Sequence, residues 1–387
     1  MKRWLSRNLV ILTVVSLAQD AASELLYPLL PYLVSASVIG AAPVALGVIE
    51  GCAEAAAGFT KLYSGNRSDS LGRKPFVVAG YSIAAFGKAL VIFGSAWSAI
   101  FLGRVTDRIG KGLRSAPRDA LIHDSVERND VGKAFGFHRT GDNIGAVIGP
   151  LIALGGLSLL NGDVREVAKW ALIPAILSGL LTFFVKEVRA HQSAMRIEKS
   201  KSLLPKPLKK IIALLVCIQL TNIPDALLLL RLYNLDFSVH GVVLAYALYS
   251  FVTVIFAFPG GYLADKFQPP IIYAIGLIAF AVSYAMLGLT SSKSLAVIAL
   301  IIYGIFPALT DGVGKSWIAK LSESEHRGRA QGVYQASMNF AVLGAGIWGG
   351  LFWTQHGDQP VLVVAACGAL VGAAIFIGRV FRQRITH

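Results

Sequence analysis

The chain has 387 residues, of which 55% are hydrophobic and only 15% are charged, and its mean hydropathy is +0.62. Soluble domains carry about 25% charged residues, so this composition excludes an ordinary soluble fold and indicates a protein that crosses a membrane many times. The formal net charge of +14 would suggest a nucleic-acid partner in a soluble protein. We predict none here, because the positive residues can lie in loops on one side of the membrane.

Twelve segments are apolar and long enough to cross a bilayer, which takes about 20 helical residues. The first begins in "MKRWLSRNLVILTVVSLA", which resembles a signal peptide but lacks a small-residue cleavage pattern. We therefore interpret it as an uncleaved span. The predicted spans are residues 8–34, 41–64, 75–94, 97–120, 133–158, 166–186, 209–234, 239–264, 270–290, 294–320, 329–354 and 359–381.

The basic residues between the spans predict the orientation. Arginines and lysines concentrate in one set of loops, which includes "EVRAHQSAMRIEKSKSLLPKP" between spans six and seven. By the positive-inside rule these loops and both termini face the cytoplasm, and we assign the chain to the inner membrane of a bacterium. The predicted regions are an N-terminal six-helix bundle at 1–186, a cytoplasmic linker at 187–208 and a C-terminal six-helix bundle at 209–387.

The two halves of the sequence resemble each other. A single offset relates Pro28 to Pro224, and the same offset relates "GKAFG" at 132 to "GRAQG" at 328. Parallel repeats of six helices, related by an axis along the membrane normal, are a known transporter plan. We therefore predict an all-α membrane protein with two pseudo-symmetric six-helix bundles.

Ionisable residues inside the membrane occur mainly in spans one, four, seven and ten. A charge at this depth costs about 3 kcal/mol, so such a side chain should face a wet cavity or a partner. We predict that these four spans line a central cavity, and that spans three, six, nine and twelve face lipid. The candidates for proton coupling or substrate contact are Asp20, Glu24, Arg104, Asp107, Arg108, Lys111, Asp225, Arg231, Asp311 and Lys315.

Span four contains the most charged stretch, "GRVTDRIGKGLRSAPRD" at 103–119. On a helical wheel six of its seven ionisable side chains fall within an arc of about 120°, and Val105, Ile109 and Leu113 fall on the other side. The pattern predicts an amphipathic membrane helix with one basic face. Arg114 and Arg118, near its end, are expected at the membrane interface.

Several of these side chains have two possible roles. Asp20 and Glu24 lie one turn apart and are candidates for binding a transported proton, or for a structural ion pair with span four. Arg104 is expected to orient substrate or to lower the pKa of a neighbouring carboxylate; the alternative is that it braces the bundle.

Three further side chains are given structural roles. Glu50, one turn from Glu54 in span two, is expected to make a structural or gating contact. In span five we expect Arg139 to pair with Asp142, and His138 to be a satisfied buried histidine.

One loop motif connects the chain to a known family. "GNRSDSLGRK" at 65–74 resembles the first-loop motif of the major facilitator superfamily, and "GGYLAD" at 260–265 resembles its degenerate second copy. The resemblance implies a secondary transporter with alternating access, in which this loop holds one conformation. The implied gate residues are Gly65, Asp69, Gly72, Arg73, Lys74 and Asp265.

Two helix motifs resemble those of proton antiporters in that superfamily. "FLGRVTDRIGKG" resembles the fourth-helix motif, although Asp107 and Arg108 stand where the family usually has Gln-Gly. "GAVIGPLIALGG" resembles the fifth-helix motif, and it implies that Gly145, Gly149 and Pro150 allow close packing and bending against span eight.

These observations favour a monomeric, proton-coupled exporter of a small organic solute. Two alternatives remain: an importer or exchanger of an anionic or siderophore-like solute, coupled to protons or sodium, and a non-transporting sensor or scaffold. The sequence has no P-loop, nucleophile motif or metal-ligand cluster, so we predict neither an enzyme nor a cofactor or metal. The expected partners are the solute, the coupling ion and membrane lipids.

Overall fold

The structure, a computed structural model, describes residues 5–36, 42–127, 130–188, 204–322 and 327–385. The side chains of Asn66, Asp69, Asp265 and residues 327, 328 and 381–385 are outside this description. Within it, all regular secondary structure is helical. The chain divides into two compact units, Met1–Met195 and Arg196–His387. Residues 189–203, most of the predicted linker, lie outside the described residues.

In the first unit the helices build the six predicted spans, two of which are made of shorter pieces. A 3₁₀ turn, Tyr27–Leu29, joins the first two helices, and the sixth span is α7 followed by α8. The helices are α1 Arg7–Leu26, α2 Leu30–Ser35, α3 Ala42–Leu71, α4 Arg73–Phe93, α5 Trp97–Asp124, α6 Val131–Leu159, α7 Val164–Lys169 and α8 Leu172–Thr182.

In the second unit the seventh and tenth spans are each made of two helices, and the other four are continuous. The helices are α9 Lys206–Gln219, α10 Asp225–Asn234, α11 Val239–Lys266, α12 Pro269–Leu289, α13 Lys293–Tyr303, α14 Ile305–Leu321, α15 Arg327–His356 and α16 Asp358–Ile385.

Eight helices of the described residues are long and apolar enough to cross a membrane. The fourth span, α5, is not one of them. It has 28 residues, or about 42 Å, which is enough to cross. Its ionisable residues make it less apolar than the other spans. Ion pairs within its own unit satisfy most of them, as described below.

The first span of each unit breaks at the proline that the repeat identified. Pro28 lies in the 3₁₀ turn between α1 and α2, and Pro224 precedes α10 after a gap that begins at Leu220. Proline has no backbone N–H and removes one helical hydrogen bond, so each break follows from the local sequence. The break in the second unit puts Asp225 in the first turn of α10.

Glycines let α4 and α5 approach until their backbones touch. A Cβ on Gly87 would lie 2.4 Å from the backbone nitrogen of Asp107, and a Cβ on Gly110 would lie 2.4 Å from the carbonyl oxygen of Gly80. No side chain fits in that space. This contact brings Lys88 of α4 against the charged face of α5.

The glycines of the fifth-helix motif pack on α1, a contact that the sequence did not predict. A Cβ on Gly145 would lie 2.5 Å from the carbonyl oxygen of Leu17, and one on Gly149 would lie 2.6 Å from that of Ala21. Pro150 is buried within α6. The motif therefore fixes the position of α6 against the helix that carries Asp20.

Gly149→Ala is expected to lower the stability of the folded protein by about 1–3 kcal/mol, because the new methyl group meets backbone that cannot move aside. Thermal unfolding of the purified protein measures the effect. Gly155→Ala in the same helix is the control: a Cβ there has nothing within 4 Å, so we expect no loss and a small gain in helix propensity. Equal unfolding temperatures for the two variants would contradict the close approach.

Candidate functional site

Arg104 forms a buried bidentate ion pair with Glu50 of α3. Its Nε donates to Glu50 Oε1 and its Nη2 to Glu50 Oε2, both at 2.8 Å, and the two side chains are 3% and 4% exposed. The guanidinium also lies 5.3 Å from the centre of the Tyr27 ring. This geometry is that of a brace between α3 and α5. Of the two roles predicted for Arg104, the contacts agree with the structural one, and also with the structural role expected for Glu50.

Asp107 is held by Lys88 and does not line an open surface. The Lys88 Nζ lies 2.5 Å from Asp107 Oδ1, and Arg104 Nη1 lies 3.6 Å from Asp107 Oδ2. Lys88 and Asp107 are buried. This corrects the prediction that Asp107 is on the wall of a wet cavity. It also shows that span three, which was predicted to face lipid, turns its lysine toward α5.

The next turn of α5 is more accessible. Arg108 Nε lies 3.1 Å from Glu54 Oε1, and these side chains are 13% and 26% exposed. Lys111 is exposed, and the carboxylates that act on it electrostatically are Glu54 and Asp20. Of the cavity residues predicted in span four, Arg108 and Lys111 therefore remain accessible.

Asp20 is paired loosely, and its partner is Arg114. The Arg114 Nη2 lies 4.0 Å from Asp20 Oδ1, and the Asp20 side chain is 30% exposed. Arg114 is buried with its guanidinium over the Tyr81 ring, 4.3 Å from the ring centre. Its Nε and Nη1 have no hydrogen-bond acceptor among the described residues. Arg114 thus lies inside the unit, which corrects its expected place at the membrane interface.

The polar positions of α1 follow one another along its contact with α6. A Cβ on Gly145 would lie 3.2 Å from Asp20 Cβ, and one on Gly149 would lie 2.9 Å from Glu24 Cβ. Both acidic residues of span one therefore lie beside α6, and Arg114 approaches Asp20 from α5. The ion pair predicted between span one and the basic fourth span is formed by Asp20 and Arg114.

The predicted gate cations bind partners in their own unit. Arg73 Nη1 donates to the carboxylate of Asp124 and, at 3.1 Å, to the carbonyl oxygen of Ala120, and Lys74 Nζ donates to the carbonyl oxygen of Phe183 at 2.9 Å. Asp124 lies beyond the predicted end of span four. Burial alone would raise the pKa of Asp124, but hydrogen bonds from His123 and Arg73 lower it below its ordinary value.

A carboxylate that sequence reasoning missed caps the helix after this loop. Glu187 accepts from the backbone N–H groups of Arg73 and Lys74 at 3.1 and 2.8 Å, at the positive end of the α4 dipole. Gly72 has φ +91°, a conformation that favours glycine. A Cβ on Gly65 would lie 3.6 Å from Ala116 Cβ, an ordinary packing distance. The side chains of Asp69 and Asp265 lie outside the described residues.

In the second unit, Asp225 is bound by tyrosines. Tyr303 and Tyr249 donate their hydroxyl groups to its two carboxylate oxygens at 2.8 and 2.9 Å, and their rings stack with centres 5.4 Å apart. The Tyr303 hydroxyl also lies 3.1 Å from the side-chain oxygen of Asn222, and the Tyr284 hydroxyl lies 3.3 Å from it. A polar cluster thus surrounds the break in the seventh span.

The other predicted residues of this unit lie apart from that cluster. Arg231 is buried at the end of α12, where it donates to the carbonyl oxygens of Leu287 and Thr290 and pairs with Asp358 at 2.8 Å. It therefore closes a helix end, which corrects its expected place in a cavity. Asp311 and Lys315 are exposed on α14.

A repeated spacing in the sequence could have indicated the partners of span four. Glu50 and Glu54 are four residues apart in span two, as are Arg104 and Arg108 in span four, and the structure pairs them in the same order. The single lysine of span three also needed a partner at that depth. Nothing in the sequence distinguished Tyr249 and Tyr303 from other aromatic residues of the spans.

Comparison with known proteins identifies the family. The family model of the Major Facilitator Superfamily matches residues 12–233 and 211–386. An MFS-type transporter of Methanocaldococcus jannaschii is 29% identical over 379 residues, which cover 96% of this chain and 94% of that protein. The multidrug resistance protein MdtH of Photorhabdus laumondii is 30% identical over 106 residues, 27% of this chain and 26% of that protein.

Solved structures agree on the fold. The nucleoside transporter NupG superimposes with a TM-score of 0.81 at 16% sequence identity, over 96% of this chain and 99% of that one. An identity this low supports the fold alone. Since the family model covers nearly the whole chain, the chain belongs to the major facilitator superfamily.

Proposed function

We propose that this transporter exports a small organic solute in exchange for protons, with Asp20 as the carboxylate that gains and loses the proton. As a member of its superfamily the chain is a multi-pass membrane transporter and not an enzyme. The bundles 1–186 and 209–387, joined by the linker 187–208, would alternate between two states. The loop residues Gly65, Asp69, Gly72, Arg73, Lys74 and Asp265 would stabilise one of them.

The observation that carries the proposal is the loose pair of Asp20 and Arg114. Glu50, Glu54 and Asp107 have basic nitrogen atoms within 2.5–3.1 Å, whereas Asp20 and Arg114 are 4.0 Å apart. A proton on Asp20 would release Arg114, whose Nε and Nη1 lack acceptors among the described residues. Protonation would therefore change the charge and the hydrogen bonding of this site together.

Arg114 also favours a proton over sodium as the coupling ion. A sodium ion at Asp20 would keep its full charge about 4 Å from the guanidinium and would be repelled. A proton instead forms a covalent O–H bond and leaves a neutral acid.

The direction of transport and the setting are part of the proposal. The local similarity to a multidrug resistance protein supports export. The basic loops support cytoplasmic termini in a bacterial inner membrane. We propose that one chain acts alone, because it contains the complete superfamily fold.

The alternative, transport or exchange of an anion, is favoured by the same Arg114 donors, which lack acceptors among the described residues. An anionic group on the solute could accept from Arg114 Nε and Nη1. Lys111 is exposed one turn before Arg114 and would add to the attraction.

Flux measurements on the purified protein in liposomes test the proposal. A thermal-shift screen of organic compounds first supplies a solute that stabilises the protein. We expect movement of this solute against its gradient when a pH gradient is imposed, with a matching proton flux reported by a dye inside the vesicles. Solute movement that ignores the pH gradient and requires an anion on the opposite side would favour the exchanger instead.

A further inference from the structure

A second titratable pair lies on the contact between α1 and α6, beyond the site proposed above. His138 Nδ1 lies 3.4 Å from the hydroxyl of Thr13, and Asp142 follows one turn further along α6. Gly145 follows about one turn after Asp142, and a Cβ on Gly145 would lie 3.2 Å from Asp20 Cβ, so it is level with Asp20. Because the two helices run in the same direction, His138 and Asp142 lead along α6 to the level of Asp20.

Both members of this pair have unsatisfied buried atoms. His138 Nε2 and Asp142 Oδ1 have no hydrogen-bond partner among the described residues, and they face each other at 3.7 Å. Their side chains are 4% and 15% exposed. Buried polar atoms are normally hydrogen-bonded, so such a pair requires an explanation. A small rotation of either side chain would bring the two atoms within hydrogen-bond distance.

The charges around His138 are mixed. From α5, Arg118 and Asp119 act on it, and from α6, Arg139 and Asp142 do. Arg118 is itself held by the Ser16 hydroxyl at 2.8 Å and by Asp119. Arg139 is exposed and no ion pair joins it to Asp142 in the described structure, so the pair predicted from sequence is replaced by His138 and Asp142. The two cations disfavour a positive charge on the imidazole and the two carboxylates favour it. This balance suits a group that gains and loses a proton.

We propose that His138 and Asp142 form a second proton-binding site, which passes its proton to Asp20. The proposal rests on the proposed function, because Asp20 is the acceptor. A proton on His138 Nε2 moves to Asp142 Oδ1: the N–H bond breaks, an O–H bond forms and the imidazole becomes neutral. Asp142 then gives the proton through a bridging water to the carboxylate of Asp20 and returns to its ionised form.

Thr13 can satisfy the other ring nitrogen throughout this exchange. When Nε2 loses its proton, the neutral imidazole keeps the proton on Nδ1, and the Thr13 hydroxyl accepts from Nδ1 in either charge state. The change is therefore confined to Nε2.

The rate at which Asp20 takes up a proton tests the proposal without a solute. The full-length protein in lipid nanodiscs is mixed from alkaline to acidic buffer, and time-resolved infrared spectroscopy follows the carbonyl band of protonated carboxyl groups. Loss of a component in Asp20→Asn assigns that component to Asp20. In His138→Gln we expect the same final amplitude, reached about a hundredfold more slowly, the low end for losing a positioned proton-transfer group.

His123→Gln is the matched control, since this histidine is 56% exposed at the end of α5 and pairs with Asp124. We expect it to leave the rate unchanged. If His138→Gln does not fold, judged by gel filtration and circular dichroism, Asp142→Asn provides the same test. An Asp20 component that appears at the wild-type rate in the folded variant overturns the second site and leaves the proposed function intact. The absence of any Asp20 component overturns both.

Discussion

Asp20→Asn is expected to abolish proton-coupled transport and to leave a folded protein that still binds its solute. Asparagine keeps the shape of the side chain but cannot release a proton, so the site stays in the state in which Arg114 is free of its counter-ion. Concentration of the solute against its gradient should fall to the level of empty liposomes. Downhill exchange of labelled for unlabelled solute should continue, because it needs no net proton movement.

Glu166→Gln provides the control for this experiment. Glu166 lies on α7 in the same unit, pairs with Lys169 and is 49% exposed, so neutralising it removes one carboxylate without touching the Asp20–Arg114 pair or the groups around His138. We expect this variant to keep the response to a pH gradient. Full proton-coupled transport by Asp20→Asn would rule out Asp20 as the coupling group. Glu24 would then be the candidate carboxylate of span one.

The fold could be predicted from the sequence because it depends on patterns within single segments. The apolar spans, the offset that relates Pro28 to Pro224 and the loop motif at 65–74 each occur in one continuous stretch or in a simple repeat. A bilayer allows few structures for such a sequence, since every backbone polar group must be satisfied within the helix. The breaks at the two prolines follow from the same local rules.

The site was less predictable because it depends on contacts between segments. A helical wheel correctly groups the ionisable residues of α5, but it does not say whether that face meets water or another helix. The glycines of α4 and α5 decide this for Asp107, since backbone contact at Gly87 brings Lys88 within 2.5 Å. Span four is therefore charged largely because spans two and three carry complementary charges.

In the second unit, too, the contacts between segments could not be predicted from the sequence. Arg231 and Asp225 share one short helix, and both were predicted to line a cavity. They are nearly two turns apart on α10. Arg231 therefore reaches the carbonyl groups at the C-terminal end of α12, whereas Asp225 lies at the break in the span among tyrosines. Depth along a span could be estimated from sequence, but the neighbours at that depth could not.

The Glu50–Arg104 pair carries the second large prediction, which concerns stability. Glu50→Leu and Arg104→Met alone are each expected to cost about 3–5 kcal/mol, because each leaves a buried charge without its partner. The double variant Glu50→Leu/Arg104→Met should recover most of that loss, since no uncompensated charge remains and apolar side chains fill the space. Thermal unfolding of the purified variants measures the coupling between the two positions.

The next pair along the same two helices gives the matched comparison. Glu54 and Arg108 have the same spacing and the same order, but their side chains are 26% and 13% exposed and lose less of their hydration. Single neutralisations there should cost only about 1 kcal/mol, as for pairs near water. If Arg104→Met instead unfolds like the wild type and transport is lost, Arg104 acts on substrate or on a neighbouring carboxylate, as the first of its predicted roles requires. A large coupling energy, with transport retained in the double variant, would establish that the buried arginine of this motif holds α3 to α5 and leaves proton coupling to Asp20 and Arg114.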